Sequence, residues 1–300
     1  MDDLSDTSPA LQAAIDFDQA GGVHTPAFLP LPDHMRRLRR ALVCLEAEMA
    51  GTGLSALSGV VEMLRVAAAL YDVRADTAID DSAIFYCGAA MAYENANSVV
   101  ASRYLAATIM FNFSWMALEE MVRSYAPPSK LPAGARAREV FKALPECGID
   151  VDSSLKLAWA MCVASNDMQK DLTELTSLLT TAPRSEIALE LVRRIRNSFA
   201  HGNISAPTPL DWEDERSPPA NPQVDRFFAA TRLILLLIAS LVISRLEGVI
   251  LEPGYDDPVF DADGELLDEA PADWYVRTVH LQTRAPWVVE PLILDPRERD

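Results

Sequence analysis

Residues Ile187–Asn203 read IALELVRRIRNSFAHGN. At 100° per residue, Ile187, Ala188, Leu191, Val192, Ile195 and Phe199 fall within an arc of about 140°, the buried stripe of an amphipathic helix. Glu190, Arg193, Arg194, Asn197 and His201 fall on the opposite side, with Glu190, Asn197 and His201 within about 40° of one another. Pro183 precedes this pattern and Gly202 follows it, so the spacing predicts a helix over Arg184–Ala200 that ends in a polar cluster.

The helical period recurs on both sides. Asp33 is placed to cap a helix carrying RRLRRALVCLEAEM, and a second runs from Leu54 to about Tyr71 with Val60, Val61, Leu64, Ala67, Ala68 and Tyr71 on one side. Asp80-Asp81-Ser82 opens the longest helical region, with a candidate break at Asn95–Asn97 and a stop at Pro127-Pro128. Further helices are expected over Ala135–Leu144, from Asp152-Ser153 through Leu155 to Leu179, and over Val224–Val249. No internal repeat is visible. The fold class is therefore all-α, an antiparallel helical bundle over 34–248. Residues 1–33, with Gly21-Gly22 and prolines at 9, 26, 30 and 32, read as an acidic irregular arm. Residues 249–300 read as an acidic appendage or packed arm with some β structure: a hairpin over Val259–Leu267 turning at Asp263-Gly264, then β-like stretches at Trp274–Leu281 and Trp287–Leu294. Asp261–Gly264 lacks the ligand order and terminal Glu of an EF-hand loop.

The net charge of the 300 residues is −18, which argues against a general binder of nucleic acid or anionic membrane. The charge is uneven. Residues 1–33 carry six acidic and no basic residues, and 249–300 carry thirteen acidic against four basic, which leaves 34–248 at only −3. Removing both ends is therefore expected to strengthen any RNA binding. Cys44, Cys87, Cys147 and Cys162 form no CxxC or Cys/His ladder, so buried free thiols are expected and a metal site is not. The N-terminal residues lack the basic and apolar regions of a secretory signal. The run Leu233–Ile243 is too short to span a bilayer, so no membrane partner is expected and the location is read as cytoplasmic.

Cleaving RNA without metal requires a proton-transfer group near neutral pH and a fixed cation for phosphate charge. His201 is the only histidine in the Ile187–Asn203 segment, Arg196 offers a planar fork of donors, and Asn197 is a neutral donor. Five residues apart on an ideal helix, Arg196 and His201 diverge by about 140°. Two solutions stand: Gly202 bends the chain so that His201 turns back, or a second copy completes the site across a two-fold axis.

Arg196-Asn197-Ser198-Phe199-Ala200-His201 resembles the R-N-x-x-A-H form of the R-x4-6-H motif of HEPN-domain proteins, many of them metal-independent ribonucleases. Phe111–Val122, FNFSWMALEEMV, resembles the W-x-A-L-E helix of the ApeA-like HEPN branch. Together the resemblance covers about residues 100 to 248. It implies a HEPN-type bundle and a homodimer with facing motifs, acting on RNA in stress response or anti-phage defence as a toxin-like enzyme restrained until triggered. It implies Arg196, Asn197 and His201 as catalytic residues, with no cofactor and no metal. Glu119 by that match, and Glu190, are supporting residues; Arg193 and Arg194 are RNA-binding candidates. The helix Val224–Val249 is the expected supplier of dimer surface.

Plainer readings stand beside these. Arg196 pairs with Glu119 in a structural ion pair; Asn197 and His201 cap a helix; Arg36-Arg37-Arg39-Arg40 is a solvated face; Tyr104, Phe111 and Trp115 are core. His24, His34 and His280 have no evident partners. The rival functions are a catalytically silent HEPN-like module binding RNA, a nucleotide or a regulatory protein, and a regulator similar to the mannitol-repressor family, which carries a related R-N-x-F-A-H stretch.

Overall fold

Leu233–Ile243 is the most apolar run in the sequence, and in the computed structural model it forms the centre of the bundle. The described residues are 28–48, 57–70, 73–78, 87–126, 130–204, 206–209, 221–252, 259–260 and 265–281. Among them the helices are α1 (Leu31–Glu48), α2 (Ser58–Ala68), α3 (Gly88–Tyr125), α4 (Ala133–Ala143), α5 (Val151–Ser165), α6 (Gln169–Thr176), α7 (Arg184–Ala200), α8 (Pro222–Ile243) and α9 (Ala272–Thr278). The protein is an all-α bundle with a few short strands near its C-terminus.

Asn221 caps α8 by accepting from the Gln223 N–H at 3.0 Å, and Pro222 occupies the first turn, where its missing N–H has no role. Every residue from Leu233 to Ile243 is buried, because α3 and α5 make the most extensive packing along the helix and α1, α7 and α9 also cover it. With 22 residues, α8 is longer than the run that announced it and is apolar enough to cross a membrane. Its apolar residues are instead buried inside the bundle. The same burial means that its Leu/Ile-rich centre supplies no dimer surface, contrary to the expectation above.

The predicted helix through Leu155 to Leu179 is two helices. Asn166 takes a left-handed conformation, φ 61°, a region that Asn tolerates better than most residues, and α5 stops there. The N-cap of α5 is Asp150 rather than Asp152, accepting from the Ser153 N–H at 3.0 Å. The candidate break at Asn95–Asn97 does not occur, and α3 runs unbroken for 38 residues. A strap over 73–78 lies along this part of α3: the N–H groups of Ala75 and Thr77 donate to the hydroxyls of Ser102 and Ser98. Residues 79–86, including Asp80-Asp81-Ser82, lie outside the described residues.

In the C-terminal part, β2 (Val259–Phe260) pairs antiparallel with β3 (Leu266–Leu267), the ladder of the expected hairpin. β1 (Ile250–Leu251) pairs with β4 (Ala270–Pro271). The β-like stretch Trp274–Leu281 instead enters α9. Its Trp, Tyr and Val favour strands, yet Ala272, Tyr275, Val276 and Val279 recur at three- and four-residue steps and bury one face against the bundle. Packing outweighs intrinsic preference there. Trp287–Leu294 and the arm before Phe28 lie outside the described residues. None of the four cysteines forms a disulfide, but only Cys147 and Cys162 are buried; Cys44 is half-buried and Cys87 exposed.

Candidate functional site

Arg184–Ala200 folds as the periodicity predicts, and α7 ends in a Schellman turn. The His201 N–H still donates to Asn197 O at 3.0 Å, the ordinary helical bond. Gly202, at φ 69°, then takes the left-handed position while its N–H reaches Phe199 O at 3.1 Å and that of Asn203 reaches Ser198 O at 2.9 Å. Glycine serves here because a Cβ is strained at this φ. The bend falls after His201. Of the two solutions to the geometry, a Gly202 turn that carries His201 back toward Arg196 is not the one formed.

The apolar stripe is buried as expected, with Phe199 partly buried against Phe227, ring centroids 5.5 Å apart. The opposite face is not a uniform polar cluster. Glu190, expected to project with Asn197 and His201, is 3% exposed because α4 packs over it. Its carboxylate accepts from Arg138 of α4 at 2.9 Å, from Arg193 at 2.6 and 2.7 Å and from Arg194 at 3.2 Å. Burial pushes the Glu190 carboxyl up, but the hydrogen bonds and charges of Arg193 and Arg138 outweigh it and hold the group at about 2. Arg194 also pairs with Asp171 at 3.1 Å and Glu174 at 2.8 Å. Both RNA-binding candidates on this face thus already meet carboxylates.

Arg196, Asn197 and His201 are placed differently. They occupy the last turn and cap of α7, Arg196 and Asn197 half-buried and His201 exposed. Arg196 Nη1 donates to Asn197 Oδ1 at 3.4 Å, and among the described residues Arg196 makes no ion pair and the His201 ring no hydrogen bond. The structural pair between Arg196 and Glu119 is absent. Glu119 is exposed on α3, lining a depression with Ala133 and Gly134 at the start of α4. Tyr104 and Trp115 are partly buried and Phe111 wholly so, in accord with a core role.

No protein-family model, characterised protein or solved structure matches the chain. What the site can do therefore rests on its own chemistry. A guanidinium with no carboxylate partner among the described residues, a neutral amide and an exposed imidazole stand within six residues, offering phosphate donors and a proton-transfer group. Among the described residues no group of three or more His, Cys, Asp or Glu is arranged to hold a metal ion.

Several partnerships were invisible in the sequence. Asp171 ties α6 to α7 by accepting from Arg194 and, at 3.3 Å, from the Ser198 hydroxyl. Arg226 is wholly buried and pairs with Asp167 beside the Asn166 elbow. The nearby Cys162 thiol is pushed up to about 12 by burial. His34 and His280 come together with ring centroids 5.9 Å apart, next to Arg232. Arg36 and Arg37 are engaged with Asp33 and with Leu281 O, so the arginine run is partly committed to the fold. Apart from Arg36 with Asp33, these contacts join residues far apart in the chain; only periodic pairs such as that one and Glu190 with Arg193 and Arg194 carry a local signal.

Proposed function

We propose that the chain is a metal-independent endoribonuclease of HEPN type, cytoplasmic and active in stress response or anti-phage defence. The observation that carries this reading is the selective freedom of α7's last turn. Among the described residues Arg193 and Arg194 are met by carboxylates, whereas Arg196 and His201, the ends of the R-x4-H motif, are left without them. In the reaction, a ribose 2′-hydroxyl attacks its own 3′-phosphate: the 2′-O–P bond forms and the P–O5′ bond breaks. One imidazole accepts the 2′ proton and another donates to the leaving 5′ oxygen, while Arg196 and Asn197 hold the phosphate oxygens. The products are a 2′,3′-cyclic phosphate and a 5′-hydroxyl.

Because the α7 bend falls after His201, a homodimer that brings two copies of the motif together supplies both imidazoles. Purified protein incubated with labelled RNA in excess EDTA is expected to cleave and to leave those end groups. Loss of cleavage in EDTA with recovery in magnesium would refute the mechanism. One observation favours a silent binding module instead: Glu190 neutralises Arg193 and Arg194, the two arginines on its face of α7. RNA that binds without being cut is the result that selects it.

A further inference from the structure

Two depressions that share lining residues lie along α4. One, of about 220 Å3, is bordered by Trp115, Glu119 and Arg123 of α3 and by Gly134. The other, of about 330 Å3, is bordered by Tyr125, Val140 and Arg245. Leu131 and Arg136 line both, so the two form one groove, and Leu131 stands 49% exposed at their junction.

Arg136 and Arg245 carry charge that no carboxylate neutralises among the described residues. Arg136 Nη2 donates to the carbonyls of Arg123 and Ala126, and Arg245 Nη2 to that of Tyr125 at 3.3 Å. These bonds close the C-terminal carbonyls of α3 and engage one nitrogen of each guanidinium. Arg245 also lies over the Tyr125 ring, 4.4 Å from its centroid. In a chain with 44 acidic and 26 basic residues, two such arginines on one groove make a local complement to phosphate. Glu119 and Glu139 are the carboxylates on the same lining, and neither pairs with Arg136 or Arg245.

The groove also leads to the candidate site. A Cβ built on Gly134 would lie 3.7 Å from Arg193 Cδ, so the start of α4 rests on the Arg193 stem. Asn197 is one turn further along the same strip of α7.

We infer that this groove is a track for single-stranded RNA, holding unpaired nucleotides beside the scissile phosphate. This rests on the ribonuclease reading above. Base faces lie against Leu131 and the apolar lining near Tyr125, and phosphates meet Arg136 and Arg245. A duplex, with its base faces already stacked, leaves the apolar lining unfilled.

The test uses the full chain carrying His201→Ala, so that binding is read whether or not the protein cleaves. Fluorescence anisotropy with a short labelled single-stranded RNA is expected to show Arg245→Ala weakening binding about tenfold, with a matched duplex binding more weakly than the single strand. Since Arg245 also supports the end of α3, Leu131→Ser and Glu139→Lys provide surface changes outside that support. The first is expected to weaken binding several-fold and the second to strengthen it. Unchanged affinity in both folded variants, or equal binding of duplex and single strand, overturns the track even if the unmodified protein cleaves RNA. Altered affinity in a protein whose unmodified form never cleaves supports the track and rejects the ribonuclease reading alone.

Discussion

Glu190 accepts four hydrogen bonds from three arginines while almost fully buried, so it is the residue on α7 whose loss the fold feels most. Glu190→Gln leaves those arginines without their shared charge and is expected to destabilise the protein by about 3 kcal/mol at neutral pH. The folded carboxyl, at about 2, lies below its ordinary value of 4.5, so its contribution is present above pH 4.5 and is lost as pH falls toward 2. Denaturant titrations should show the gap between the two proteins closing over that range; a gap independent of pH would reject the assignment. His201 has the opposite profile. Its ring is exposed and makes no hydrogen bond among the described residues, so His201→Ala is expected to change stability by less than about 0.5 kcal/mol while cleavage disappears. Arg196→Ala is expected to abolish cleavage and also weaken RNA binding, read by anisotropy beside turnover, because it removes a phosphate donor. Normal cleavage by either variant would exclude that residue from catalysis.

At the scale of elements, the end of α7 is held by one residue that accepts a left-handed conformation. Gly202→Ala keeps the helix-forming sequence but strains the Schellman turn, at a cost of about 1 kcal/mol. Cleavage is expected to fall further than thermal stability does, because Asn197 and His201 share the hydrogen bond next to that turn. A variant with normal turnover and a lowered melting temperature would show that the turn serves stability alone. The Asn166 elbow has the complementary role of ending α5 before α6 begins, and from α6 Asp171 reaches Arg194 and Ser198.

For the whole molecule, the two ends of the described fold meet. Phe28 bridges Leu281, the Leu29 N–H donates to His280 O at 2.9 Å, and Arg232 donates to Leu29 O at 2.6 Å while lying over the Phe28 ring. His34 and His280 are buried at this junction with Arg232 and Arg37 close by, and Asp150 is the acid acting on His280. Burial first, then Arg232, lowers both imidazoles, His280 to about 4. Neutral histidine is therefore favoured in the fold: stability is expected to decline as pH falls below the ordinary 6.5, continuing toward pH 4 for His280. Comparing urea midpoints with His280→Phe over this range checks it, since the variant should lose less on acidification; parallel curves would reject the junction as a source of acid sensitivity. The junction also alters the expectation that both acidic ends can be removed. Cutting at 249 takes Ala272, Tyr275, Val276 and Val279 out of the core, so such a deletion tests folding before it tests charge.

The sequence by itself determined the helical class, the limits of α7 and the polar motif at its end, because apolar period and a glycine stop are local properties. It also announced the Val259–Leu267 hairpin through its Asp-Gly turn. Only the tertiary structure decided that Glu190 is buried, that α8 lies inside the bundle with no apolar face to spare, and that Trp274–Leu281 enters a helix. Periodicity tells which face of a helix is polar, but not whether another helix brings an arginine to cover it, as α4 does with Arg138. The same limit hid the His34–His280 pair and the Arg136–Arg245 groove, since burial and charge compensation arise between segments that the chain keeps far apart.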